Sequence, residues 1–140
     1  IGTNAKMTEV NAAIGLANLP YLRDIVADRR KKYNLYKSIL SQSAALSFQK
    51  IDASCNCSYF PVIFDTEDRL LKADAALKAI NVFARRYFYP SVNTYKTICP
   101  NAAACPKSED VANRILCLPL YWTLDEDVVS TVAECVVKMV

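Results

Sequence analysis

The chain has 140 residues, 53% hydrophobic and 22% charged, with a net charge of +3 at pH 7. This is enough for one domain with a real core and excludes a disordered or fibrous chain, while so small a charge, spread along the sequence, argues against a dedicated nucleic-acid surface. No apolar run is long enough to span a bilayer and the N-terminus lacks the basic and apolar stretches of a signal peptide, so no membrane segment is expected and the cytoplasm is the expected setting.

The chain begins at Ile1 rather than Met, which reads as a piece of something longer. Thr8 is placed to cap a helix in which Met7, Val10, Ile14 and Ala17 recur at helical spacing, and Pro20 fits the first turn of a second helix. That helix carries the stripe Leu22, Val26, Arg29, Tyr33, Tyr36 and Leu40. Its charge run Arg29, Arg30, Lys31 and Lys32 reads as a solvated face. The segment YFPVIF, 59–64, is aromatic and β-branched and predicts a strand, with Pro61 suggesting an edge or a bulge. Thr66 then caps a helix with Leu70, Ala73, Leu77 and Ile80 on one side. NVFARRYFYP, 81–90, predicts another strand, and 91–107 a long loop. A short helix after Ser108 leads to the strand-like ILCLPLY. Thr123 and Glu126 suggest a capping box for a last helix whose buried face is Val128, Val132, Cys135 and Met139. Strands separated by helices, without a regular βαβ repeat, predict an α/β (α+β) domain with a small sheet packed by helices.

The residue inventory restricts the chemistry. There is no histidine, so no Ser-His-Asp or Cys-His arrangement can form, and two glycines cannot build a phosphate-wrapping loop. Cys55 and Cys57 make a C-x-C, and Cys99 and Cys105 lie among prolines. Without histidine or C-x-x-C pairs, neither metal nor disulfides are expected, and the thiols read as small hydrophobes. What remains is the opening motif and RRYFYPS. On a strand, Arg85, Tyr87 and Tyr89 would share one face, with Arg86 and Phe88 on the other, so one arginine and two tyrosines could meet a phosphorylated or sugar ligand. The plainer alternative is a strand of half-buried tyrosines with arginines paired to carboxylates.

GTNAKMTEVNAAIGLANL at 2–19, the following Tyr-Leu pair, RRKKY, ARRYFYPS at 84–91 and ILCLPLYWTL at 115–124 together resemble, in order, the second half of the DegT/DnrJ/EryC1/StrS sugar aminotransferases. The resemblance covers nearly the whole chain. It implies the small C-terminal domain of an aspartate-aminotransferase-like fold, with residues 1–140 forming that domain and the large cofactor domain absent. It implies a pyridoxal-phosphate enzyme that works as a homodimer and moves an amino group from an amino acid, usually glutamate, to a keto sugar on a nucleotide, with dTDP-linked deoxyhexoses favoured by RRYFYP. By position, Asn4 matches an asparagine that reaches the cofactor phosphate of the neighbouring subunit. The resemblance implies that Arg86, Tyr87 and Tyr89 fall near the active-site mouth, and alternation adds Arg85 to the candidates for substrate contact. Lys6 does not match the family's Schiff-base lysine, which lies in an upstream segment with no counterpart here, so no catalytic residue is assigned and the chain alone is expected to be inactive. The competing readings are a non-catalytic dimerisation or nucleotide-sugar-binding module and, less favoured by charge, a nucleic-acid binder.

Overall fold

The computed structural model of the chain describes residues 5–140; Asn4 of the opening motif lies outside the described residues. Helix α1 spans Glu9–Asn18, and the Thr8 hydroxyl accepts the Asn11 N–H at 3.2 Å, as its capping position predicts. Pro20 occupies a 3-10 turn, Leu19–Tyr21, that leads into α2, Leu22–Leu40. Strands β1 (Leu46–Phe48), β2 (Phe60–Phe64) and β3 (Ile115–Leu118) form an antiparallel sheet in the order β1-β2-β3. Helices α3 (Glu67–Ala79) and α4 (Pro106–Arg114) fall between β2 and β3, and α5 (Glu126–Val137) closes the chain.

One face of the sheet builds the core. Phe60, Val62 and Phe64 alternate onto it from β2 and Leu116 and Leu118 from β3, all buried. The Phe60 ring lies 4.7 Å from Tyr33 and 4.8 Å from Tyr36 of α2, centroid to centroid. Burying a ring of this size contributes about 1.5–3 kcal/mol. Helix α5 packs on α2 and α3, and α3 packs on β2 and β3, so these helices cover that face. The opposite face carries Tyr59, Pro61, Ile115 and Cys117, which share a small cavity with Tyr87 and Phe88.

Pro61 sits on the central strand, not on an edge, and the register explains how. Cys117 exchanges both backbone hydrogen bonds with Arg85 on its far side, so its N–H and C=O point away from Pro61, its partner on β2. On the other side β1 pairs only as far as Phe48 with Val62. No ladder bond is asked of the missing N–H.

Several sequence expectations are corrected. The segment 81–90 is not a strand: after α3, Asn81 adopts φ 60°, its N–H donates to Lys78 O, and Val82 N–H donates to Leu77 O. This is a Schellman ending, with the asparagine in the left-handed position. Only Arg85 then bridges to β3. The last helix is capped from Asp125 without a side-chain bond, so the Thr123–Glu126 box is not made. Its fully buried face is Val129, Val132, Ala133 and Val136; of the expected face Val132 is buried and Cys135 and Met139 pack half-buried against the core, while Val128 is exposed. The basic run of α2 is not simply solvated, because Lys32 is buried and Arg30 donates to the carbonyls of Ala53 and Cys55. Ile80 is exposed, beyond the last buried turn of α3.

Candidate functional site

The segment 85–89 leaves the sheet edge immediately after one bridge. Arg85 N–H donates to Cys117 O at 3.1 Å and Cys117 N–H returns a bond to Arg85 O at 2.8 Å. The chain then turns at Tyr87 and Phe88, and the Tyr87–Phe88 and Tyr89–Pro90 peptides are cis. Strand alternation therefore holds across Arg85 and Tyr87 and fails beyond them. Arg85 Nη1 donates to the Tyr87 hydroxyl, and its guanidinium lies 5.5 Å from the Tyr87 ring centroid. Arg86 turns the other way: its Nη2 donates to Glu67 Oε1 and to Asn113 O, each at 2.8 Å, and its guanidinium stacks 3.7 Å from the Tyr89 ring centroid. The four sequence-predicted residues are thus brought together as two pairs, Arg85 with Tyr87 and Arg86 with Tyr89.

The first pair lines a cavity of about 400 Å³ with Tyr59, Phe83, Pro119 and Tyr121 among its walls. Tyr59 stands perpendicular to Tyr87, centroids 5.6 Å apart. Its aromatic rim is open to solvent, since Tyr59, Phe83 and Tyr121 are all exposed. Cys117 forms part of the floor, and burial pushes its thiol above the ordinary range against the opposing pull of the Tyr87 backbone N–H. The thiol is therefore protonated at neutral pH, an apolar floor rather than a nucleophile. A guanidinium fork beside a phenol, ringed by aromatic faces, has the donors for phosphate oxygens and the surfaces for a base or sugar ring. Tyr59 and Tyr121 were missed as site residues because each sits beside a hydrophobic strand. Tyr59 shows its signal only in the period-2 alternation, which sends Phe60 to the core and Tyr59 to the opposite face.

Tyr87 and Phe88 also wall a second cavity, of about 360 Å³, against α4 at Ser108, Val111 and Ala112. Its polar side is internally satisfied. Ser91 Oγ donates to Asn93 Oδ1 at 2.7 Å and lies 2.8 Å from Ser108 Oγ. Asn93 Nδ2 donates to Glu109 Oε1 at 2.6 Å, and Glu109 also accepts the Cys105 N–H at 2.9 Å, capping α4 from within.

A helix-covered three-stranded sheet whose free face carries a basic, aromatic cavity is the class of domain these features define. The chain belongs to the DegT/DnrJ/EryC1/StrS aminotransferase family, whose profile matches residues 1–137. It is 33% identical over 147 residues to the dTDP-4-amino-4,6-dideoxy-D-glucose transaminase of Shigella dysenteriae, covering 96% of this chain and 39% of that protein. The Escherichia coli enzyme of the same name is 30% identical over 141 residues, covering 95% of this chain and 38% of its own length. Among solved structures, DesI in the presence of its TDP-sugar product superposes with a TM-score of 0.82 at 29% identity, over 96% of this chain and 36% of that one. S. venezuelae DesV in complex with a ketimine intermediate superposes with a TM-score of 0.85 at 22% identity, over 98% of this chain and 38% of that one, and shares the fold. The chain thus spans about two-fifths of the length of the curated relatives it matches.

The family's enzymes depend on pyridoxal phosphate. The described residues do not make a cradle for that group. No lysine lines any of the four cavities described. Lys32 is committed to Asp28 and two backbone carbonyls, and Lys6 is exposed ahead of α1. Gly15, the one described glycine, lies within α1 rather than in a phosphate-binding loop.

Proposed function

We propose that this chain is the C-terminal, substrate-facing part of a nucleotide-sugar aminotransferase. The parent protein transfers an amino group from an amino acid, glutamate by family resemblance, to a keto group on a dTDP-linked deoxyhexose for amino-sugar biosynthesis. The Schiff-base lysine and cofactor phosphate loop belong to the portion of the relatives that this chain does not span, and the chain alone is inactive. Asn4 is the residue assigned to the cofactor phosphate of a second subunit in a homodimer.

The observation that carries this reading is the Arg85–Tyr87 pair at the mouth of an aromatic cavity, in a chain of this family. Arg85 supplies the charged fork for the diphosphate, and Tyr59, Tyr87 and Tyr121 supply ring faces and hydroxyls for base and sugar. When bound, the cofactor supplies the electron sink for amino transfer; this chain's residues orient and shield the sugar nucleotide. Arg86 and Tyr89 remain candidates for substrate contact, but Arg86 is already engaged by Glu67 and Asn113.

The test uses the full-length protein with glutamate as donor and dTDP-4-keto-6-deoxy-D-glucose as acceptor, the keto sugar whose amination gives dTDP-4-amino-4,6-dideoxy-D-glucose. Arg85→Ala is expected to lower kcat/KM for the sugar nucleotide by about 30- to 200-fold, the equivalent of roughly 2–3 kcal/mol for a charged hydrogen-bond donor, with the glutamate half-reaction little changed. Tyr87→Phe, Tyr89→Phe and Arg86→Ala complete the set. If all four keep near-normal sugar kinetics, or lose both half-reactions equally through unfolding, the segment is structural and the site assignment fails.

A further inference from the structure

Lys32 is the one charged residue among the described ones that is almost wholly buried, at 3% exposure. Lysine is seldom found there unless its ammonium is paired. Here it donates to Asp28 Oδ2 at 2.5 Å, to Tyr121 O at 3.3 Å and to Trp122 O, which accounts for its three N–H bonds. One turn along the same face of α2, the Tyr36 hydroxyl donates to Pro119 O at 3.0 Å. Both side chains therefore act on the link between β3 and α5, a segment without a ladder of its own to satisfy its carbonyls. Pro119, Leu120 and Tyr121 of that link form the wall of the 400 Å³ cavity that also holds Arg85 and Tyr87.

We propose that Lys32 is a positioning residue: with Tyr36 it fastens the 119–122 link to α2 and so sets where Tyr121 stands across the cavity from Arg85. The role rests on the reading of that cavity as the sugar-nucleotide site. Lys32 itself touches no ligand. An apolar residue could fill the same space, but it would leave Trp122 O without its lysine donor and Tyr121 O with only the local Leu124 N–H, so that Tyr36 alone would tie the link to α2 and the wall would be held less firmly in one place. Asp28, already partly open to solvent, would turn outward to water.

The test uses the full-length protein, with Lys32→Met removing the ammonium but keeping the stem, Lys32→Arg restoring a cation, and Tyr36→Phe removing the second tie. Lys32→Met is expected to raise KM for dTDP-4-keto-6-deoxy-D-glucose about 5- to 10-fold, with kcat and the glutamate half-reaction changed less than about twofold, and Lys32→Arg to recover part of the loss. Trp122, the chain's single tryptophan, gives a reading that needs no substrate. Its emission, isolated by difference against a Trp122→Phe background, should become more accessible to acrylamide in Lys32→Met and less so again in Lys32→Arg. Unchanged quenching together with an unchanged sugar KM overturns the proposal. So does an equal loss in both half-reactions with a lowered melting temperature, which marks Lys32 as only a stability residue. Should Lys32→Met fail to fold, Tyr36→Phe decides: a raised sugar KM with normal donor kinetics supports the fastened wall, and no change overturns it. A wild type that does not process the dTDP sugar defeats the functional reading instead, and with it the role in sugar binding.

Discussion

Glu109 shows how much one half-buried carboxylate can organise. Its Oε1 accepts from the Cys105 backbone N–H and from Asn93 Nδ2, which ties the start of α4 to the turn after Pro90. The backbone bond first, and the Asn93 amide second, hold its carboxyl below the usual range. A carboxylate whose folded pKa is depressed contributes stability that is present above its unfolded pKa, about 4.3, and is lost as pH falls through the folded value. Thermal melts between neutral pH and pH ~3 should therefore show a smaller acid-side loss for Glu109→Gln than for the wild type; parallel curves would remove Glu109 from the acid response. At this scale the sequence was informative where a residue's role needs only its neighbours. Arg85 and Tyr87, two apart, face one cavity as alternation predicts. Arg86 turns away from Arg85, also as alternation predicts, but Tyr89, expected beside Arg85 and Tyr87, stacks on Arg86 instead, because the turn at Tyr87 and Phe88 breaks the alternation. Lys32 was equally hidden. The i,i+4 spacing suits Lys32 to Asp28, but in a run of four basic residues nothing local marks which one meets the carbonyls of a link some ninety residues away.

Elements whose ends carry a polar cap were legible, and those whose phase depends on packing were not. Thr8 and Thr66 both cap as their spacing predicts, the latter accepting the Arg69 N–H at 3.3 Å. In α5, VVSTVAECVV is apolar on most sides, so the period fixes Val132 but does not choose between neighbours such as Val128 and Val129 on either side of the stripe. Contact with α2 and α3 selects Val129, Val132, Ala133 and Val136. The strand expected over 81–90 failed at its first residue. Asn81 takes the left-handed position that ends α3, and Arg85 alone reaches the sheet edge. Asn81 should then respond to substitution by backbone shape rather than by side-chain contact. Asn81→Gly is expected to leave stability unchanged or slightly raised, whereas Asn81→Val, β-branched at φ 60°, should cost about 1–3 kcal/mol. Urea titrations of the two variants check this; equal midpoints would mean the Schellman ending does not set the boundary of α3.

At the scale of the molecule, the core and the outermost helix follow different rules. The sheet, α2, α3 and α5 bury their apolar faces in one cluster, whereas α1 has no buried residue. Met7 is 76% exposed, Val10 68% and Ile14 56%, although their spacing is that of a helix built to be covered. The period of α1 was thus legible in the sequence, while its surroundings were not: a periodic stripe shows that a helix has an apolar face, not which body lies against it. Because the chain spans about two-fifths of its relatives, this face is expected to lie against the remainder of the protein or a second subunit in the full-length molecule. Produced as residues 1–140 alone, the chain should relieve the exposure by self-association, since apolar patches of this kind left bare tend to pair. Light scattering at micromolar concentration is expected to give dimers or larger species. Val10→Glu with Ile14→Glu, two charges one turn apart on that face, should return the chain to a monomer. The double variant's melting temperature should stay close to that of the wild type, because neither side chain touches the core. A wild-type chain that scatters as a monomer without detergent would show that α1 needs no cover, and a double variant that unfolds would show that α1 contributes to the core after all.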